Sequence, residues 1–260
     1  IVTGGISDRK VYLFDKDSST PLWNYYFGSG SLNIPDAVDI SANGEFIVVA
    51  TRNDKIYLFN KNSSNPIWNY SSSQKVTSLS ISASGEYISI SSKDNDYPYD
   101  DGGKLHLFSR ISSTPVWSYS STSQILGADL SKDGTSLVAG TFSGLLHYFS
   151  VDSSVPLWTF NSSSSNGGAL YHMSISSDGS YVTAGANEYI YLFEKSSSDY
   201  IWVSDFIGGS VVDVDISSDG EFVTAIIESK LFLYGKESKN HLWSVSYDSD
   251  LRSVSISENG

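Results

Sequence analysis

The sequence predicts an all-β fold, a six-bladed β-propeller with four antiparallel strands per blade, on three observations. A unit of about 45 residues recurs six times, the period range of propellers and solenoids. Each unit holds four short runs with strand character and no convincing helical stripe. The two chain ends read as complementary parts of one unit, so the C-terminal strand A is expected to join the N-terminal blade and close the ring.

The period is marked by six tryptophans, Trp23, Trp68, Trp117, Trp158, Trp202 and Trp243, spaced 45, 49, 41, 44 and 41 positions apart. Strand A is a run such as Val38 to Ser41. A turn centred on Asn43-Gly44, Ser84-Gly85, Asp133-Gly134, Asp178-Gly179, Asp219-Gly220 or Asn259-Gly260 follows it. Glycine there accepts the positive φ that a tight hairpin needs. Strand B is a run such as Glu45 to Val48, and strand C one such as Ile56 to Phe59. A Ser-Ser-x-Pro type turn leads to strand D, which carries the Trp. Proline suits this outer position, since an edge strand loses no ladder bond to it. The apolar runs are nearly continuous, as expected of strands covered on both faces by neighbouring blades.

The expected blades are 36–72, 76–121, 125–162, 170–206 and 211–247, with the first assembled from 251–260 and 1–30. Wrapping from Trp243 through the termini to Trp23 gives 40 positions, close to one repeat. Sharing a blade between the two ends hides edges that would otherwise template aggregation. The chain opens at Ile1 without Met, as a processed or trimmed sequence would.

Composition narrows the function. Hydrophobic residues make up 40% and aromatics 13%, enough for a core, while charged residues reach only 17%. The net charge of −13 argues against nucleic acid, which demands clustered Lys and Arg, and against anionic membranes. No apolar run is long enough to enter a bilayer as a helix. The absence of Cys removes disulfides, thiolate metal sites and Cys nucleophiles together.

Strand order puts the A–B and C–D turns on one face and the B–C and D–A connectors on the other. The turns are uniform; the connectors vary, and one carries an insertion from Lys93 to Gly103. Recognition usually resides in such loops on a rigid scaffold, so a partner is expected on the connector face, with Tyr97, Tyr99, Asn33 and Asn166 as contact candidates. The bland alternative is a face free to drift. Within the insertion, Asp94, Asp96, Asp100 and Asp101 offer hard oxygen ligands to calcium. Their spacing departs from the EF-hand pattern, and a solvated acidic loop is the preferred reading; no other cofactor is expected.

The residue before the central Ile or Leu of strand A alternates around the ring: Asp39, Ser80, Asp129, Ser174, Asp215 and Ser255. Three Asp could converge on a cation, but bonding to backbone groups of the neighbouring blade is preferred. His106 and His147 share a column with Tyr12, Tyr57, Tyr191 and Phe232, which marks packing rather than catalysis. No Ser–His–Asp spacing stands out. Sequons at Asn62, Asn69 and Asn161 fall at or near the outer strand, where a glycan could be accommodated.

The units resemble the WD40-like and PQQ-like repeat propellers, especially repeat proteins of archaeal and bacterial surfaces. Leu58-Phe59-Asn60-Lys61 through Trp68 looks like the PQQ-like strand, turn and docking Trp, with Ser63-Ser64 where that family often has Thr-Gly. The Asp-Gly turns look more like WD40, although the WD dipeptide is absent. The quinone and calcium of PQQ-dependent dehydrogenases are not carried over, because no Cys pair is present to stack on a quinone and no residue matches a catalytic Asp. The expectation is therefore a non-enzymatic interaction or scaffold module, extracellular or on a cell surface, with a protein or glycan partner and a possible place in a larger assembly. A structural subunit of a filament, a cytoplasmic scaffold and a quinoprotein-like oxidoreductase are the alternatives.

Overall fold

Each repeat folds as a meander, because its turns are too short for any connection but an antiparallel one. The computed structural model describes residues 1–94, 102–165, 167–206 and 208–260. The first blade holds β1 (Val2–Gly5), β2 (Lys10–Phe14) and β3 (Pro21–Tyr26). The second holds β4 (Pro35–Ile40), β5 (Phe46–Thr51), β6 (Lys55–Asn60) and β7 (Pro66–Ser71), and the third β8 (Lys75–Ile81), β9 (Tyr87–Lys93), β10 (Gly103–Ser109) and β11 (Trp117–Ser121). The fourth holds β12 (Ile125–Leu130), β13 (Ser136–Thr141), β14 (Leu145–Ser150) and β15 (Trp158–Asn161), followed by one short 3-10 turn at Ser162–Ser165. The fifth holds β16 (Leu170–Ile175), β17 (Tyr181–Ala186), β18 (Tyr189–Glu194) and β19 (Tyr200–Val203), and the sixth β20 (Val211–Ile216), β21 (Phe222–Ile227), β22 (Lys230–Gly235) and β23 (His241–Ser246). Within every sheet, strands pair in chain order.

The A–B turns show why these sequences turn where they do. In the sixth blade Gly220 has φ +75°, and a Cβ there would lie 2.3 Å from the ring of Tyr181. Asp219 Oδ1 accepts from Ser217 Oγ at 2.6 Å and from the Glu221 backbone N–H at 3.0 Å. The same two bonds are made by Asn43 in the second blade and by Asp178 in the fifth.

Five apolar clusters lie between consecutive blades and form the core. The second and third blades, for example, meet through Val48, Leu58 and Trp68 against Ile81, Ile88 and Phe108. The fifth and sixth meet through Leu192 and Trp202 against Val214, Val223 and Tyr234. At each of these five junctions the D-strand indole N–H donates to a backbone carbonyl just after strand C of the next blade. The pairs are Trp23 to Lys61, Trp68 to Arg110, Trp117 to Val151, Trp158 to Lys195 and Trp202 to Lys236, at 2.6 to 2.9 Å. The same indoles pack against Phe59, Phe108, Phe149, Phe193 and Tyr234, with ring centroids 5.4 to 5.7 Å apart. Five of the six periodic Trp are thus junction residues, as their spacing implied, whereas Trp243 is 46% exposed.

The first blade departs from the expected pattern. Its sheet has three strands, and residues 251–260 are not laddered to β1. That segment nevertheless sits against the sixth blade as a strand A would. Ile256 N–H donates to Asp215 Oδ2 at 2.9 Å and Val254 N–H to Asp213 Oδ2 at 2.9 Å. A Cβ on Gly260 would meet the Phe222 ring, as those on Gly85 and Gly220 would meet Phe46 and Tyr181. β1 itself is four residues long and ladders with β2 from Val2 to Gly5, so the first sheet is complete except for its strand A.

Candidate partner-binding face

The connector face is built from B–C turns and D–A loops at one end of the strands. Four B–C turns hold a non-glycine residue at positive φ: Arg9 (56°), Asp54 (61°), Asn187 (46°) and Glu228 (54°). Among the described residues these are the only non-glycine positions in that region, and each costs about 1 kcal/mol relative to glycine. The face therefore keeps side chains where glycine would be easier. Asp54 uses its own to accept from the Val76 backbone N–H at 3.0 Å, tying the second blade to the third.

Exposed aromatic rings gather here. Of the seven exposed aromatics among the described residues, Tyr26, Phe142, Tyr171, Phe206 and Tyr247 lie at this end of the strands or in its connectors. Tyr200 and Trp243 do not. Each of the five laddered A strands carries a bulge at its connector end, at Asp36, Thr77, Leu126, Tyr171 and Val212. A cavity of about 650 Å³ opens on this face, lined by His172, Val212, Glu228, Leu251 and Arg252 among others. A second, of about 490 Å³, lies between the second and third blades beside Lys75 and the Arg52–Asp36 ion pair. His172 Nδ1 stands 3.4 Å from Asp213 Oδ1 at the rim of the larger one. Apolar rings beside a few charged groups of both signs form a surface suited to protein recognition.

The residues singled out from sequence fare unevenly. Asn33 is half-buried and braces the face from within: its Nδ2 donates to the Phe27 carbonyl at 2.7 Å and its Oδ1 accepts from Asn53 at 2.9 Å. Asp94 closes the base of the insertion, its backbone N–H donating to the Gly102 carbonyl at 3.1 Å. Tyr97, Tyr99, Asp96, Asp100, Asp101 and Asn166 lie outside the described residues. Asn62, Asn69 and Asn161 are all exposed. Sequence reasoning missed Phe142, Tyr171, Phe206 and Tyr247. The signal available was an aromatic residue inside a polar connector, which the repeat alignment does not require.

Inside the ring, the three Asp of strand A bond to the neighbouring blade. Asp39 accepts from Ile81 N–H, Asp129 from Ile175 N–H and Asp215 from Ile256 N–H, at 2.9 to 3.2 Å. No group of three or more metal-binding side chains occurs among the described residues. His106 and His147 are buried in the outer half of their blades, where they contact Ser118 and Thr159 across the strand pair at 2.7 and 2.9 Å. Burial pushes both imidazoles down to about 4, so they are neutral at pH 7. No helix among the described residues is long and apolar enough to cross a membrane.

The repeat, the docking Trp and the four-stranded sheets find their counterpart in a PQQ-type family (PQQ_2), described as outer membrane protein assembly factor BamB, which matches residues 2–204. The chain belongs to that family. No curated protein matches it significantly. Among solved structures, a chain of the mitotic checkpoint complex crystal structure superposes with a TM-score of 0.77 at 17% identity, covering 100% of this chain and 78% of that one. At that identity the likeness shows the WD40-like propeller fold alone. As many as 1792 solved chains match, and a fold this widely shared does not by itself choose a function.

Proposed function

We propose that the chain is a non-enzymatic scaffold module that binds a protein partner through its connector face. The observation that carries the reading is that Phe142, Tyr171, Phe206 and Tyr247 are all exposed in or beside the connectors, on the face where the larger cavity opens. Exposed aromatic rings make large contact areas at low entropic cost, and interfaces are enriched in them. The family description, an outer membrane protein assembly factor, supports a protein partner and a place in the cell envelope. The exposed sequons are compatible with an exported chain. The reading includes ring closure between the sixth and first blades, supported by the seating of Ile256 on Asp215.

The test compares cross-linked partners captured in the native host by three forms of the protein. These are the wild type, a connector-face variant (Tyr171→Ser with Phe206→Ser) and a turn-face variant (Ile111→Ser with Val155→Ser). A protein retained by the wild type and the turn-face variant, and lost by the connector-face variant, is the expected result. Identical capture by all three would remove the connector face from consideration.

A further inference from the structure

The larger cavity of the connector face holds charges that the fold leaves unanswered. Its walls come from the fifth blade (His172), the sixth (Val212, Glu228) and the segment that follows (Asp250, Leu251, Arg252). The Leu251 N–H reaches the Glu228 carbonyl at 3.4 Å, so Glu228 and Asp250 stand on adjoining stretches of backbone. Glu228 holds a positive φ of 54°, and a Cβ on Gly209 would lie 2.8 Å from its carboxyl carbon, so Gly209 leaves room for that group. Neither carboxylate is in an ion pair among the described residues. Other carboxylates of this face are paired: Asp36 with Arg52, Asp213 with His172 and Asp205 with Lys239.

The smaller cavity, between the second and third blades, is the same recess one third of the repeats away, with the signs of two residues reversed. Arg52 takes the place of Glu228. Each donates its backbone N–H to the carbonyl of the residue just before its own strand A, Ile34 or Ser210. Lys75 takes the place of Asp250. Each stands six positions before the isoleucine whose N–H bonds Asp39 or Asp215. The fold therefore accepts either sign at both positions, and two carboxylates there meet no need of the blade itself. Like charges brought together repel, and an arriving cation relieves them.

We infer that the larger cavity receives a basic side chain, lysine or arginine, from an extended segment of the protein partner, with Glu228 and Asp250 answering its charge. This rests on the connector face being the binding surface and adds the chemistry of what binds there. The rest of the wall suits a protein segment better than a free cation. Val212 and Leu251 give apolar contact to the stem of a long basic side chain. Arg252, which is in no ion pair among the described residues, is free to donate to main-chain carbonyls beside it. Two exposed rings stand next to the wall. Tyr171 lies 6.4 Å from the His172 ring, and the Tyr247 N–H donates at 2.9 Å to the carbonyl of Ser229, another wall residue. Such rings also attract cations to their faces. The net charge of −13 steers a basic segment towards the protein.

The test uses a phage-displayed library of random heptapeptides, selected on the immobilised wild-type protein, with the enriched peptides remade in fluorescent form. An excess of Lys and Arg in them is expected. Glu228→Gln with Asp250→Asn should weaken their binding about tenfold at an unchanged unfolding midpoint. Asp199→Asn with Glu237→Gln removes the same charge from exposed C–D turns and should stay within roughly twofold of wild type. Equal weakening by both variants would reduce the attraction to net charge and overturn the site. Basic peptides held as tightly by the Glu228→Gln, Asp250→Asn form as by wild type would overturn it too, as would a library that yields no binder. Enriched peptides without a basic excess, lost on Tyr171→Ser with Phe206→Ser, would leave the connector face standing and overturn the basic segment. Failure of the connector face itself reads differently, as capture of host partners that ignores Tyr171→Ser with Phe206→Ser.

Discussion

Ser80 Oγ donates to Asp129 Oδ1 at 3.0 Å, from the innermost strand of the third blade to that of the fourth. Asp129 Oδ2 in turn accepts from the Ile175 N–H of the fifth blade, and Ser174 of that blade donates to Asp215 of the sixth at 2.8 Å. The alternation of Asp and Ser along the repeat therefore ties strand A to strand A: Asp129 and Asp215 each bridge the segments on both sides, and Asp39 reaches the one that follows.

Asp129 makes this chain sensitive to pH. Burial pushes its carboxyl up from 3.8 to about 6, against the opposing pull of Lys132 and of its hydrogen bonds to Ser80 and Ile175. The folded state thus holds the proton more tightly than the unfolded state. This contribution to stability is present below about pH 4 and is lost as pH rises through 6. A shift of this size corresponds to roughly 2–3 kcal/mol. Melting curves of Asp129→Asn and wild type should differ in slope between pH 4 and 6, with the variant lacking the decline. Parallel slopes would show that the carboxyl titrates normally.

His106 and His147 work in the opposite direction. Burial lowers both to about 4 from 6.5, so the unfolded chain binds their protons more tightly. Their contribution is complete above pH 6.5 and is lost as pH falls towards 4, by at most about 3 kcal/mol for each ring. Two rings outweigh one carboxyl, so acidification from pH 6.5 to 4 should destabilise the protein overall. Tyr57 and Tyr191 fill the same column in other blades and are buried there, so His106→Tyr with His147→Tyr fits the site. That variant should lose much of the acid sensitivity measured by denaturant midpoint, and retention of all of it would place the titrating groups elsewhere.

The blade architecture was legible because its determinants are local and repeated. Asn43-Gly44 or Asp219-Gly220 fixes a turn by backbone geometry, and the Trp column fixes the junction by size. The pairing of Asp39, Asp129 and Asp215 with the next blade also followed, since a buried carboxylate needs donors and strand A has only its neighbours to supply them. Closure at the first blade was less legible. Its two halves are separated by the whole chain, so no local pattern joins them. The exposed aromatics of the connector face were least legible of all. Tyr171 stands at a strand bulge, and a one-residue bulge that leaves a side chain exposed makes no mark in a six-fold alignment. Asn33 reads from sequence as an available polar residue in a variable loop, and the structure adds that both ends of its amide bind the protein itself.

The turn carboxylates should be replaceable by amides. Asp219 is held below the usual carboxylate range chiefly by its hydrogen bond from Ser217, yet one oxygen, Oδ1, takes both the Ser217 and Glu221 bonds. Asn43 makes the equivalent pair with its single carbonyl oxygen, at 2.7 and 3.0 Å. Asp219→Asn is therefore expected to stay within about 0.5 kcal/mol of wild type at pH 7, while Asp219→Ala loses about 1 kcal/mol. Urea midpoints separate the two outcomes. A large loss in the Asn variant would mean that the charge, not the geometry, holds the turn.

The junction Trp residues should dominate stability, and adjacent positions should separate packing from exposure. Trp202 is buried, stacks on Tyr234 at 5.4 Å and donates to the Lys236 carbonyl at 2.8 Å. Its truncation to Ala removes a large apolar area, opens a cavity between two blades and strands a carbonyl, a combination worth about 3–5 kcal/mol. Trp202→Phe keeps an aromatic ring over Tyr234 and loses the bond and part of the area, so it should fall between, near 2 kcal/mol. Ile201, the preceding residue, points the other way along the strand and is 44% exposed, so Ile201→Ser should change stability by no more than about 0.5 kcal/mol. Guanidinium midpoints of the three variants should rank Ile201→Ser, Trp202→Phe, Trp202→Ala in increasing loss. If Trp202→Ala cost less than Trp202→Phe, the blades would have to repack across the gap, and the docking Trp would set the spacing of the ring rather than hold it together.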